Sequence, residues 1–410
     1  MPEHAELNIM PEPTTPTERS RGYCVAYFGN VWSTENRTSS HHIARRLAAC
    51  VPVLYIETPG MRKPALTSRD ARKIWRNLLA WFAPPRRIHD SLHVMTLPQI
   101  PFRSLPLAGR LNQWLGRWRV KRALRRLGFT RYLSWFVVPH PGKLAGKLGE
   151  RLVVYYCIDD YSALPGVDEA AIRQFDDELT RKADVVFVAS STLLESKRAL
   201  NEHVHFSPHG VDMELFARSS DPSFEPAERV RSLTHPVIGY FGTLSEVLDY
   251  ELLTWLARSR PNWTFLMIGL VASPVGELAQ CSNVVLPGPQ PYEDLPRWAK
   301  AFDVAILPHR MTRFVKHANP LKLREYLATG KPVVAVVTPE TSKFAEYVYL
   351  ATDYATYLEA IETALREDCP EERQRRMASV AGTSWESRFQ ETLKVVEETL
   401  DAKTTPGLRP

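Results

Sequence analysis

Short apolar runs recur along the chain, and most give way to a glycine, a proline or a polar pair before a segment of helical spacing begins. Runs at 24–28, 53–57, 93–97, 133–138, 152–158, 183–189 and 204–206 are apolar at nearly every position, as strands covered on both faces are. The pattern restarts at 237–241 and continues through 264–268, 284–286, 302–307 and 333–337. Between these runs, segments such as 39–49, 293–301 and 321–328 read as helices. Strands alternating with helices predict an α/β protein built on parallel sheets. The alternation pauses at 219–234, a polar stretch with Pro222 and Pro226. The expected division is therefore a domain at 22–218, a linker at 219–234, a second domain at 235–372 and closing helices at 373–400.

With 410 residues, 44% hydrophobic and 24% charged, the composition is that of a globular chain long enough for two ordinary domains. No run approaches the ~18 apolar residues that suggest a membrane crossing. Residues 1–21 carry Pro11, Pro13 and Pro16 among polar residues and read as a loose tail, as do residues 401–410. Five cysteines without C-x-x-C spacing read as buried free thiols of a reducing compartment, not as a disulfide or zinc framework.

The net charge of +6 is mild, but no Asp or Glu occurs between Ser91 and Gly149. Within that stretch Leu111, Trp114, Leu115, Trp118 and Leu124 alternate with Arg110, Arg117, Arg119, Lys121, Arg122, Arg125 and Arg126. An upstream segment with Trp75, Leu78, Leu79, Trp81 and Phe82 repeats the pattern. Basic helices bearing Trp and Leu suit an anionic membrane surface. A core helix with a solvated basic face fits too, and charge alone does not separate lipid phosphate from nucleic acid. The interleaved Trp, and the lack of any nucleic-acid motif, favour the membrane.

The chemistry concentrates in 319–334, NPLKLREYLATGKPVV. Pro320 breaks the preceding structure, a short helix follows, and Gly330 caps it. Lys322 and Glu325 share one turn, where a cation, a carboxylate and a helix N-terminus suit a nucleotide: diphosphate on the cation, ribose on the carboxylate. An ordinary amphipathic helix with two solvated charges has the same spacing. Asp159 and Asp160 end the apolar run at 152–158, where ligands of open α/β sheets gather. One of them suits a general base and the other a turn cap; Asp160 is expected in the cleft, with Asp159 the other candidate. His140, between Pro139 and Pro141, is either a cleft residue or a loop residue. Gly29 and Asn30 close the first strand and open a βαβ unit.

The segment 319–334 resembles the donor-sugar helix of GT-B glycosyltransferases, in particular glycosyltransferase family 4 and its teichuronic-acid-type branch, which reads K-L-x-E-Y-L-A-x-G-K-P-V-V. Pro208-His209-Gly210-Val211-Asp212 with Phe216 resembles the family's P-x-G-V-D-x-x-x-F signature, and Ser384-Trp385 its terminal S-W element. The resemblance implies two Rossmann-like domains facing a cleft, acceptor on the first and donor on the second. It implies that the last helix crosses back to brace the first domain. Gly29 and Asn30 then face the acceptor. Gly242, Thr243, Tyr292, His309, Arg313, Asn319, Leu321, Lys322 and Glu325 form the donor side. The chain departs from the family twice. His317 stands at the first glutamate of the E-x7-E pattern, and the Arg and Lys usual after Gly242 are missing, so more of the phosphate charge falls on Lys322, with Arg313 or Lys316 to help. The resemblance implies transfer of a sugar from a nucleotide-diphosphate sugar to a glycan or lipid-linked acceptor in cell-surface glycan synthesis. It implies no cofactor or metal, no nucleic acid, and a cytoplasmic place at the inner face of the membrane. A GT-B-shaped epimerase and an inactive membrane scaffold are the alternatives.

Overall fold

The computed structural model describes residues 21–32, 37–58, 83–98 and 106–404, with backbone alone for 106–108. The basic segment around Trp75–Phe82 and all but Arg21 of the expected N-terminal tail lie outside these residues.

The first sheet contains β1 (Cys24–Gly29), β2 (Val53–Glu57), β3 (Arg86–His89), β4 (Leu92–Thr96), β5 (Tyr132–Phe136), β6 (Val153–Cys157), β7 (Val185–Val188) and β8 (Val204–Phe206). Their order is β3-β4-β2-β1-β5-β6-β7-β8, and only β3 runs antiparallel. The second contains β9 (Val237–Phe241), β10 (Thr264–Ile268), β11 (Val284–Gly288), β12 (Val304–Leu307), β13 (Val333–Val336) and β14 (Tyr349–Ala351), ordered β11-β10-β9-β12-β13-β14 and parallel throughout. Each sheet carries an apolar core on both faces, which is why its strands are apolar at successive positions. In each, strand order reverses beside the first strand, between β1 and β5 and between β9 and β12. The crevice at such a reversal is where doubly wound sheets hold ligands.

Packing sets the domain boundary earlier than the pattern of polar residues did. Val211, Phe216 and Val230 are buried in the core of the second sheet, so 219–234 is packed onto that domain through short 3-10 turns instead of hanging between the two. Gly210 lies at a close approach of two chain segments. A Cβ there would lie 2.6 Å from the Cα of Trp385, and Gly210 is absent from the positive-φ glycines. The glycine is needed because two chain crossings touch: Val211 pairs with Ser384 as the chain returns. The closing helices also separate. Pro370–Val380 stays on the second domain, with Val380 in its core. Helix Trp385–Thr404 alone crosses back, burying Trp385, Phe389, Leu393 and Val396 in the first. It continues through 401–404, which were expected to be tail.

Candidate active site

Helix Leu321–Ala328 fastens one face to the second domain and turns the other to the cleft. Leu323, Tyr326, Leu327 and Ala328 are buried in the core, and the Tyr326 hydroxyl accepts the Phe241 amide at 2.9 Å, tying the helix to the end of β9. Gly330, at φ +75°, stops it. Immediately upstream, the Asn319 side chain donates to the Ala189 carbonyl of the first domain at 2.7 Å and accepts from Arg324 at 2.7 Å. Asn319, expected among the donor ligands, is spent on joining the domains. Arg324, which the spacing did not single out, is buried with it. Glu340 joins the same seam, accepting the Ser191 amide at the start of a first-domain helix at 2.7 Å. Leu321 packs against the first-domain core.

Lys322 points the other way. Gly242 follows β9 at φ +141°, and a Cβ built there would collide with the Lys322 side chain, 2.8 Å from Nζ. The ammonium thus lies over the end of β9, 5.9 Å from the centre of the Tyr240 ring, at the point where strand order reverses. Gly269, at φ +146°, closes the arrangement: a Cβ there would run into the Gly242 peptide. The conjunction of Gly269 with Gly242 follows from the register of β9 with β10, which the sequence pattern does not carry.

Two carboxyl groups share the field of Lys322. Glu325, buried in the core-facing turn, is pushed up to about 7 by loss of water, opposed by Lys322. Asp159, at the end of β6 on the opposite domain, is also pushed up to about 7, chiefly by burial and then by Asp160, and Lys322 opposes both. Asp160 was expected in the cleft. Instead it caps the turn after β6, accepting the Ser162 amide at 3.1 Å and hydroxyl at 2.6 Å, while Arg313 stands 3.4 Å away. Adjacent carboxylates at a strand end divide the work: Asp160 caps the turn, and Asp159 lies within the field of Lys322. His309, after β12, is half-buried beside Lys322 and held down at about 3 by burial and then by the Lys322 charge, so it stays neutral at working pH.

The remaining candidates spread around this centre. Thr243 follows Gly242, and its carbonyl accepts from the Tyr240 hydroxyl at 3.3 Å. Tyr292, expected on the donor side, is packed edge-on to Phe216 and His42, with the Arg37 guanidinium 5.1 Å from its ring centre. Arg313 reaches the first domain, away from the phosphate-binding role expected of it. His140 begins a buried 3-10 turn after β5, on the strand beside β6. Gly29 ends β1 with the Tyr55 and Ser40 hydroxyls filling the space of its missing side chain, and Asn30 accepts from Tyr55 at 2.8 Å. Among the described residues, no group of three or more His, Cys, Asp or Glu is placed to hold a metal.

Two doubly wound domains, facing through the carboxyl ends of their strands and sharing a cationic helix, are the architecture of the GT-B fold. Residues 235–367 match the family described as glycosyl transferases group 1. The chain is 27% identical over 281 residues to the teichuronic acid biosynthesis glycosyltransferase TuaH of Bacillus subtilis (strain 168), covering 63% of this chain and 70% of that one. Its fold is similar to sucrose-phosphate synthase of Thermosynechococcus elongatus (TM-score 0.67, 14% identity, 93% of this chain and 100% of the other). It is also similar to HepE of Anabaena, solved with UDP and glucose (TM-score 0.61, 16% identity, 91% and 99%). An α,α-trehalose-phosphate synthase (UDP-forming) of Burkholderia vietnamiensis matches as well (TM-score 0.64, 11% identity, 91% and 96%). The protein is a glycosyltransferase.

Proposed function

We propose that the chain transfers a sugar from a nucleoside-diphosphate sugar to a lipid-linked or polysaccharide acceptor of a cell-surface glycan. One observation carries the reading: the Lys322 ammonium lies against Gly242 at the strand reversal of the second domain, with Asp159 of the first domain within its field. Gly242 lets a diphosphate approach the backbone, and Lys322 holds the charge that grows on it. The acceptor oxygen bonds to the anomeric carbon as the bond from that carbon to phosphate oxygen breaks. The acceptor's proton passes to Asp159 or to the departing diphosphate, and the nucleoside diphosphate leaves. Lys322 makes a metal unnecessary for this step, so turnover is expected to survive chelation by EDTA. UDP is the first nucleotide to try, because HepE of Anabaena was solved with UDP and the Burkholderia synthase is UDP-forming. The test is transfer and hydrolysis across a panel of nucleotide sugars, with wild type and Lys322→Ala. Undiminished donor binding in the variant would remove the reading.

A second reading, an inactive scaffold of this fold, draws on His317, which stands in place of a glutamate. Donor binding without transfer or hydrolysis would favour it.

The acceptor side points to an anionic membrane surface at the cytoplasmic face. On helix Pro106–Arg126, Leu111, Trp114 and Trp118 are 44%, 64% and 42% exposed, and the Arg122 guanidinium stands 5.5 Å from the centre of the Trp118 ring. Among the described residues no helix is long and apolar enough to cross a membrane. Flotation with anionic and with neutral vesicles tests this. Binding that ignores lipid charge, or survives Trp114→Ala with Trp118→Ala, would defeat it.

A further inference from the structure

Arg313 begins the short helix Arg313–His317 of the second domain, yet all three of its guanidinium nitrogens meet the first. Nη1 donates to Glu169 at 2.6 Å, Nη2 donates to the Ser162 hydroxyl at 3.1 Å, and Nε stands 3.4 Å from Asp160. Asp160 and Ser162 belong to the turn that leaves β6, and Asp160 already accepts both the amide and the hydroxyl of Ser162. Glu169, at the start of helix Glu169–Lys182, is itself steadied by Arg173 at 2.7 Å. A planar fork on one domain therefore grips a self-closed turn on the other. Asp159 is the residue immediately before that turn.

We infer that Arg313 is a positioning residue: it latches the second domain onto the turn after β6 and so holds Asp159 against Lys322, without touching the donor. This rests on the reading of Lys322 and Asp159 as the reacting centre. The latch is built to open. Its partners are solvent-accessible in part, and exposed ion pairs are individually weak, so the latch can release at small cost. It also requires arginine, since an ammonium cannot present three donors in one plane to a carboxylate, a hydroxyl and a second carboxylate. The sequence does not reveal this, because the residues that meet are about 150 positions apart.

The test compares wild type with Arg313→Ala, Arg313→Lys, Glu169→Gln and the exchange Arg313→Glu with Glu169→Arg. UDP titration reads donor binding, steady-state turnover reads positioning, and small-angle scattering of the ligand-free protein reads closure. Expected are UDP affinities within about twofold of wild type, and kcat lowered roughly tenfold in Arg313→Ala and in Arg313→Lys, because small misplacements of reacting groups are costly. The loss in Glu169→Gln is expected to be smaller, and the exchange is expected to recover part of the rate. Scattering is expected to show a more open Arg313→Ala. A loss of UDP affinity in Arg313→Ala as large as in Lys322→Ala, with Glu169→Gln silent, would overturn the inference and make Arg313 a donor ligand. An unchanged scattering profile with unchanged kcat would overturn it too. Failure of wild type itself to bind any nucleotide would instead strike the donor reading, and scattering would still decide whether the latch exists.

Discussion

The two domains open alike, an apolar strand running into glycine, and differ in what fills the space beside that glycine. At Gly29 the occupants are hydroxyls of the same domain, Ser40 Oγ 2.6 Å and Tyr55 Cζ 2.7 Å from where a Cβ would sit. At Gly242 a hydroxyl is present too, Tyr240 Oη at 2.9 Å, but the nearest occupant is the Lys322 side chain, arriving from helix Leu321–Ala328. One loop is neutral and closed by its own hydrogen bonds, such as Tyr55 to the Asn30 carbonyl. The other is cationic and held by a side chain that an anion can recruit. The same supersecondary unit therefore gives a rigid wall in the first half and a phosphate seat in the second. A glycine at a strand end does not announce which of the two it builds.

The sharpest way to break this contrast is to fill both glycines and remove the lysine. Lys322→Ala is expected to lower kcat by about 10³, the scale of losing a principal charge-stabilising donor. Gly242→Ala is expected to match it in donor affinity, since its φ of +141° and the Lys322 chain both oppose a Cβ. Gly29→Ala should show in thermal unfolding instead, by disturbing the Tyr55 and Ser40 packing. Equal effects of the two alanines on UDP titration would erase the distinction.

The first half contributes its own charge through Asp159, and there pH sharpens the comparison. An ionised Asp159 is needed to take a proton, and its carboxyl is pushed up to about 7, so kcat/KM is expected to fall as pH drops below about 7. His309, held at about 3, cannot supply that limb. Asp159→Asn is expected to lower kcat by about 10² and to remove the limb from the pH–rate profile. A limb that persists in Asp159→Asn would move the proton acceptor elsewhere.

Much of this is legible in the sequence. Strands buried on both faces announce themselves as unbroken apolar runs, and the NPLKLREYLATGKPVV segment carries its helix, its cap and its cation in one line. Polar or late strands did not announce themselves: β3 is Arg86–His89, an edge strand with three exposed residues, and β14 is three residues long. The division of labour between Asp159 and Asp160 was illegible because neighbours in sequence differ only in which way the turn rotates them. Asn319 and Arg313 were misassigned for a related reason. A polar residue near a cleft reads the same whether it meets a ligand or the opposite domain, and long-range contacts decide which. Here Asn319 meets Ala189 and Arg313 meets Glu169.

The seam gives the next contrast, a saturated contact beside the unsaturated site. Asn319→Ala removes the bond to Ala189 and leaves Arg324 short of a buried acceptor. Stranding a buried donor costs about 1–3 kcal/mol, so denaturant unfolding should shift its midpoint downward. Asn319→Asp keeps an acceptor for Arg324 but sets an oxygen against the Ala189 carbonyl; the pairing with Arg324 is expected to outweigh that repulsion, so its shift should be smaller. Equal shifts would mean that Arg324 draws nothing from Asn319.

The smallest expected effect concerns Glu325, and its sign is opposite to that of an ordinary ion-paired acid. The folded carboxyl is pushed up to about 7 from 4.5 because burial outweighs the pull of Lys322. Below about 4.5 both folded and unfolded chains hold the proton, and pH has no leverage through this group. As pH climbs toward 7 the unfolded chain releases its proton and the folded one retains it, so stability falls across that window and levels off above it. Glu325→Gln keeps the shape of the protonated acid and cannot titrate. It is therefore expected to leave Tm unchanged near pH 4 and to raise it by roughly 2–4 °C at pH 8. A lower Tm at pH 8 would mean that Lys322 outweighs burial, placing Glu325 as a permanent counter-charge and making the second half's seat less free to accept a phosphate than its contrast with Gly29 implies.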